Sequence, residues 1–333
     1  MSITYQVLGE AGRDNALLVH VNSGQAIDRF LFDCGDVGLT SLPLAEVKAI
    51  DHLFFSHLHM DHIGGFDTYF RSLYDRTDKP NVIWGPAQTR EIIHHRFRGF
   101  LWNLYHEHQA SWQVRDIDEQ QVCSSRYELA EAFAVAHDEG CEERGGQLLE
   151  GATYTIDAIQ LDHMTPSLGY IVREQPRLNI DTGRLEALGL RSGPWLKEVK
   201  TLSHQEMIVI DGIAHDPDVL RRELLISSPG SCLAYLTDFL PDETAMERLV
   251  PFLYDCNTLI CESQYLQRDL ALAQRNYHLT AVRAAELARV VQAEHLVLFH
   301  ISERYTREEW LEMLEQARAI FPETTFPKEW KLG

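Results

Sequence analysis

The sequence predicts an α/β layered fold, built as a single domain. Short β-rich runs and helical patterns alternate along its 333 residues. Hydrophobic residues make up 45% and aromatic residues 10%, enough to bury a sizeable core. No repeat, low-complexity segment or linker interrupts the pattern, although two stretches, near 87–150 and 174–215, read as insertions.

Taken in order, "ITYQVLG", "ALLVHVN" and "RFLFDCG" are β-rich runs bounded by Gly, Asn and Asp, and "DHLFFS" is a fourth. "GGFDTYFRSLYD" reads as helix, and "NVIWGP" as a strand ending in a turn. Residues 87–112 read as helix, with an unusual load of His and aromatic side chains over 94–112. Strand signals return in "YTIDAIQLDH", "LGYIV" and "SCLAYLTDF". "DETAMERLVPFLYD" is helical, with Asp242 as its cap; "NTLICES" is a strand, "LTAVRAAELARVVQ" is helical from Thr280, and "EHLVLFHIS" is a strand. The last helix, "TREEWLEMLEQARAIF", opens with Thr306 and Glu309 at capping-box spacing. It puts Trp310, Leu311, Leu314, Ala317 and Phe321 on one face.

Composition narrows the function. No run of about 18 apolar residues exists, so no membrane span is expected, and the start "MSITYQVLGEAGRDN" lacks the basic-then-apolar order of a signal peptide. The six cysteines show no CxxC pair and read as reduced, mostly buried thiols of a cytoplasmic protein. A net charge of −20, from 30 basic and 50 acidic residues, argues against indiscriminate nucleic-acid binding. A nucleic-acid substrate would have to be met by a local basic patch or by metal ions.

The stretch "HLFFSHLHMDHIGG", residues 52–65, concentrates the chemistry. At a strand end, side chains at i and i+2 point the same way, so His57 and His59 can converge on one ion. Asp61 and His62 lie beyond the strand, where the loop can aim them at a second ion. Gly64 and Gly65 are expected to let the backbone turn tightly into the next helix. Neutral imidazoles with a hard carboxylate suit Zn²⁺, with Mn²⁺ or Fe as alternatives. His163, Asp238 and His300 each end an apolar strand signal, the edge at which α/β proteins place their sites. Together with the HxHxDH run they complete two coordination shells, with Asp238 as the bridge.

These motifs resemble those of the metallo-β-lactamase superfamily, most narrowly ribonuclease Z, the tRNA 3′ endonuclease. "LFDCGD", "SHLHMDHIGG", "DHMTPSLGY", "YLTD" and "HISERYT" resemble its successive motifs, and "CESQY" with "HLTAVRAAELA" resembles its Glu and His-x-Thr elements. The resemblance implies an αββα sandwich: two mixed sheets packed together with helices outside. It also implies two Zn²⁺ ions, one held by His57, His59, His163 and Asp238, the other by Asp61, His62, Asp238 and His300. Asp61 would in addition orient or deprotonate the attacking water. His278, its tautomer fixed by Glu262, would stabilise the phosphate and protonate the leaving oxygen. Asp33 would support a ligand histidine through a hydrogen bond. Tyr170 and Arg304 fall in matched segments, where an arginine could meet phosphate.

The implied substrate is precursor tRNA, gripped by an arm between the His163 and Asp238 motifs that serves the partner subunit of a homodimer. "LGLRSGPWLKEVK" resembles the arm's Gly-Pro segment, with Lys197 and Lys200 following. From 173 to 200, six basic residues face four acidic ones, a local +2. The competing expectation is a small phosphodiester such as a cyclic nucleotide, with the 94–112 stretch capping the site. Phe239 stands after Asp238, where the family usually has Thr.

Overall fold

The computed structural model describes residues 2–36, 39–103, 109–201 and 205–332. They form two compact units: the chain up to Arg173 together with that from Ser231 onward, and Glu174–Gly230.

The larger unit holds two sheets. The eight-stranded sheet runs in chain order: Ser2–Leu8, Ala16–Asn22, Ile27–Phe32, His52–Phe54, Asn81–Pro86, Ser111–Ile117, Gln121–Glu128 and His137–Glu143. Its four middle strands, Ile27–Phe32 to Ser111–Ile117, are parallel. The seven-stranded sheet is ordered Thr324–Thr325, His295–Phe299, Thr258–Glu262, Cys232–Leu236, Pro166–Glu174, Tyr154–Asp162 and Leu149–Glu150. The first four of these are parallel to one another.

Strict alternation of apolar residues decides the layering. Leu17, Val19, Phe30, Phe32, Phe54 and Trp84 join the core that also contains the second sheet. Leu18, Leu31, Leu53 and Ile83, one residue out of phase, join a second core under the helix Phe66–Leu73. The helix Ala281–Val290 buries Ala281, Ala284, Ala285 and Ala288, a stripe of small side chains that lets it lie close to its sheet. The result is the expected α/β/β/α layering. An aromatic cluster joins the sheets beneath the strand ends: Phe54 meets Tyr170 at 5.4 Å, and Phe32 meets Tyr235 at 5.9 Å between ring centroids. Such pairs contribute about 0.5–1.5 kcal/mol each beyond their burial.

Parallel strands deliver their carboxyl ends to one edge. There the chain leaves three strands through left-handed residues: Asp33 (φ 57°), Asp238 (φ 47°) and His300 (φ 49°). Non-glycine residues in that region carry strain of order 1–3 kcal/mol, which packing must offset.

Several expectations are corrected. Among the described residues of 87–112 only Thr89–Phe97 is helical, and Ser111–Ile117 is a strand; residues 104–108 of the His/aromatic stretch lie outside the described residues. Trp112 and Val114 are buried between less buried neighbours, a short two-residue alternation that the aromatic load masks. The 87–150 stretch therefore adds three strands to the first sheet and is not a helical insertion. The other inserted unit runs 174–230, past the expected 215, and packs its own core of Leu185, Trp195, Val199, Ile208, Leu220 and Leu224. Cys123 and Cys141, paired across antiparallel strands, form a disulfide, so only Cys34, Cys232, Cys256 and Cys261 are the buried free thiols expected of all six. Among the described residues no helix is long and apolar enough to cross a membrane.

Candidate metal centre and catalytic groups

His57, His59, Asp61, His62, His163, Asp238 and His300 all meet at this edge, in two groups of potential ligands: His57, His59 and His163; and Asp61, His62, Asp238 and His300. Asp238 Oδ2 is the meeting point. His57 Nε2 and His163 Nε2 each lie 3.6 Å from it, and His62 Nε2 lies 3.5 Å away. Asp238 Oδ1 is 3.3 Å from His300 Nδ1, and Asp61 Oδ2 lies 3.5 Å from His62 Nε2 and 3.4 Å from His300 Nε2.

The other ring nitrogens explain why these atoms converge. His62 Nδ1 donates to Asp33 Oδ2 at 2.8 Å, and His163 Nδ1 donates to the Tyr277 carbonyl at 2.8 Å. Ser56 Oγ donates to Asp33 Oδ2 at 2.7 Å and so accepts from His57 Nδ1 at 3.1 Å. With Nδ1 holding the proton in all three, Nε2 is the atom left for a metal.

The geometry suits a metal better than hydrogen bonding. Separations of 3.4–3.6 Å are long for a hydrogen bond, and His62 Nε2 is buried with no hydrogen-bond partner. Two ligands about 2.0–2.1 Å from one tetrahedral Zn²⁺ stand about 3.3–3.4 Å apart, close to this spacing. Burial, then the neighbouring His62, push His57 down to about 2, so its imidazole is neutral, the form that ligates. Burial alone would lower His62, but Asp238 and Asp33 outweigh it and raise it well above the ordinary value. Burial would raise Asp61 and Asp238, yet the imidazoles beside them hold both well below the usual carboxylate range. The site favours positive charge at its centre, which a metal cation brings.

Asp33 is fully buried and ties the cluster to both sheets. Beyond His62 and Ser56 Oγ, it accepts from the Ser56 backbone N–H at 2.7 Å and from Tyr235 Oη at 2.7 Å. Sequence reasoning misses Ser56 and Tyr235, since nothing local marks a hydroxyl whose partner is distant in the chain. It also misses Gln264, whose Nε2 lies 3.2 Å from His300 Nδ1. Gly64 and Gly65 lie where the chain turns into the helix Phe66–Leu73, but without the left-handed conformation. Both have ordinary right-handed or near-bridge dihedrals, but a Cβ on Gly65 would lie 2.4 Å from the Gly35 carbonyl oxygen. That close approach lets Cys34 N–H donate to the His62 carbonyl and Gly65 N–H to the Cys34 carbonyl, both at 2.8 Å, fixing Asp33 against His62.

His278 reaches the edge of the cluster, its Nδ1 4.0 Å from Asp238 Oδ2 and 3.0 Å from Glu262 Oε2. Glu262 Oε1 accepts from the Phe239 backbone N–H at 2.7 Å, a bond any residue but proline at 239 could donate. Burial would lower His278, but Glu262, Asp238 and Asp61 outweigh it and push it up to about 9. Tyr170 is buried and donates to the Phe55 carbonyl at 2.7 Å, so it braces the strand that carries His57. Arg304 is exposed, its guanidinium 5.3 Å from the Tyr265 ring centre. Lys197 and Lys200 are exposed on the helix Trp195–Lys200 of the smaller unit.

The model for the anti-Pycsar protein Apyc1 family matches residues 11–171. In solved structures, the chain is similar to the metallo-β-lactamase fold protein YhfI of Bacillus subtilis (TM-score 0.56, 14% identity, 97% of this chain and 95% of that one). It is also similar to the short form of human tRNase Z (TM-score 0.54, 18% identity, 98% and 96%). These likenesses establish the metallo-β-lactamase fold. Among curated sequences, a ribonuclease Z of Geobacillus kaustophilus is 28% identical over 97% of this chain and 89% of its own length. The ribonuclease Z of Deinococcus radiodurans is 46% identical over 98% of both chains. On that full-length similarity, the chain belongs to the ribonuclease Z family.

Proposed function

We propose that the chain is a dinuclear zinc phosphodiesterase that cuts precursor tRNA on the 3′ side of the discriminator base. The observation that carries this reading is the convergence of three histidine Nε2 atoms on Asp238 Oδ2, with the His278–Glu262 pair at the rim. His57, His59, His163 and Asp238 would hold one ion, and Asp61, His62, Asp238 and His300 the other. Zn²⁺ fits the imidazole-rich donor set, with Mn²⁺ or Fe as substitutes. When bound, the ions supply the positive charge that stabilises the attacking and leaving oxygens of a phosphodiester.

The chain's own groups divide the proton work. Asp61 has a side chain 43% exposed where Asp238 and the imidazoles of His57, His62, His163 and His300 are nearly buried, so it can meet both solvent and the cluster. It orients or deprotonates the attacking water. His278, held cationic by Glu262, protonates the leaving oxygen. Asp33 holds His62 in the tautomer that faces the centre. In this reading the compact unit 174–230 is the arm that grips tRNA, with Lys197 and Lys200 meeting phosphate, in a cytoplasmic homodimer. Arg304 is a further phosphate contact.

The test is cleavage of a precursor tRNA with a short 3′ trailer, run beside bis-p-nitrophenyl phosphate, with Zn²⁺ and with Mn²⁺. Cleavage at the discriminator base, lost in Asp61→Ala, is the expected result. Turnover of the small diester alone would sink the tRNA assignment and move the substrate to a small phosphodiester such as a cyclic nucleotide.

A further inference from the structure

Two cavities of the larger unit adjoin the metal cluster, and Leu240 lines both. The first, of 730 Å³, includes Asp162, Met164 and Thr165, the neighbours of His163. Asp118, Glu119 and Asp242 also line it, and its one arginine, Arg248, is paired with Glu119. Such a wall repels phosphate. The second, of 550 Å³, has His278 in its wall. Leu240, Met246, Leu279 and Leu287 give it an apolar lining, and the exposed Arg283 and Arg289 stand on it as well. Arg283 Nη1 reaches Glu286 at 2.8 Å; both residues belong to the same helix, Ala281–Val290.

We propose that this second groove is the subsite for the nucleotide on the leaving-group side of the scissile phosphate. Its base lies against Leu240, Met246, Leu279 and Leu287, and its next phosphate meets Arg283 and Arg289. The proposal rests on the phosphodiesterase reading above, since it takes its direction from His278. An oxygen close enough to receive a proton from His278 puts the attached ribose at the mouth of the groove that His278 walls.

Three properties fit that occupant. The volume falls within the roughly 300–1,000 Å³ typical of small-ligand sites. An apolar lining beside guanidinium groups matches a flat base joined to an anionic phosphate, and Arg adds stacking to charge. Charge balance then decides direction: in a chain of net charge −20, Arg283 and Arg289 outnumber the one carboxylate, Glu286, at the His278 cavity, whereas Asp118, Glu119, Asp162 and Asp242 outnumber Arg248 at the His163 cavity. An RNA strand leaving the cluster is drawn toward the first and turned from the second.

The test is the double variant Arg283→Gln/Arg289→Gln, assayed on the short-trailer precursor tRNA and on bis-p-nitrophenyl phosphate at several salt concentrations. Both side chains are exposed, and Thr280 caps the helix through the Arg283 backbone N–H, which the substitution keeps. The expected result is a loss of kcat/KM about tenfold greater on RNA than on the small diester, carried mostly by KM. The salt dependence of RNA cleavage should also fall by the equivalent of one to two phosphate contacts. In the wild type, removing the base of the leaving-side nucleotide should lower kcat/KM by a similar factor, as loss of base stacking does. Equal losses on both substrates, or unchanged RNA cleavage by the double variant, would overturn the subsite while leaving wild-type tRNA cleavage intact. A wild type that turns over only the small diester overturns the functional reading and this subsite with it.

Discussion

His278 Nδ1 lies 3.0 Å from Glu262 Oε2, and the other oxygen of Glu262 accepts from the Phe239 backbone N–H. Glu262 therefore couples the imidazole to the loop that carries Asp238. The pair sets the first prediction. His278 is pushed up to about 9, so it is cationic at neutral pH and loses its proton as pH rises through that value. Activity that needs this proton falls on the alkaline side. Glu262→Gln removes the charge that favours the cation, so the alkaline limb of kcat/KM should move to lower pH by about one unit or more. His278→Ala should lower kcat by about 10²–10⁴-fold, the usual worth of a general acid.

Asp33 accepts from His62, Ser56 and Tyr235, all buried. Asp33→Asn turns one of its oxygens into a donor, so either the Ser56 backbone N–H on Oδ1 or the His62, Ser56 and Tyr235 groups on Oδ2 lose their acceptor. The expected cost is about 1–3 kcal/mol of stability per group left unpaired, read from denaturant unfolding. Metal affinity, measured by competition with a chromogenic chelator, should fall about 10–100-fold.

Gly65→Ala sets a Cβ 2.4 Å from the Gly35 carbonyl oxygen, in a seam of backbone where no side chain can swing away. Overpacking of this kind typically costs about 1–3 kcal/mol. Because the same seam aligns Asp33 with His62, bound metal should fall along with the melting temperature.

The compact unit 174–230 enters and leaves at one point, for a Cβ on Gly230 would lie 2.1 Å from the Glu174 carbonyl oxygen. Residues 175–229 can therefore be excised and bridged by a short glycine linker. Removing only part would strip Leu185, Trp195 or Val199 from the unit's core. The excised chain should keep turnover of bis-p-nitrophenyl phosphate and lose tRNA cleavage by at least about 10²-fold, the scale expected when a positioning contact is removed. Equal loss on both substrates would contradict the arm assignment.

The candidate metal cluster is largely legible in the sequence because His57, His163, Asp238 and His300 each end an apolar run. Strands of the two sheets bring these ends to one edge, so position along the chain translates into position in space. What supports the cluster is far less legible. Tyr235 reads as an inward strand residue, and nothing near it marks a bond to Asp33 across 202 residues. Gly65 carries its meaning in a contact with Gly35 that only the folded loops create. The strand Ser111–Ile117 is masked by the aromatic stretch that runs into it, and its Trp112 packs edge to face against Phe97 in the second core. Neither the end of the smaller unit at 230 nor the Cys123–Cys141 pair has a local signature, since each depends on partners brought together by folding.

The most direct test of the dinuclear centre is anomalous X-ray scattering at the zinc edge from crystals of the zinc-loaded protein. Two peaks are expected, one on the His57, His59 and His163 side of Asp238 and one on the Asp61, His62 and His300 side, roughly 3.5–4 Å apart. A single peak, or peaks away from Asp238, would contradict the assignment of that residue as the bridge.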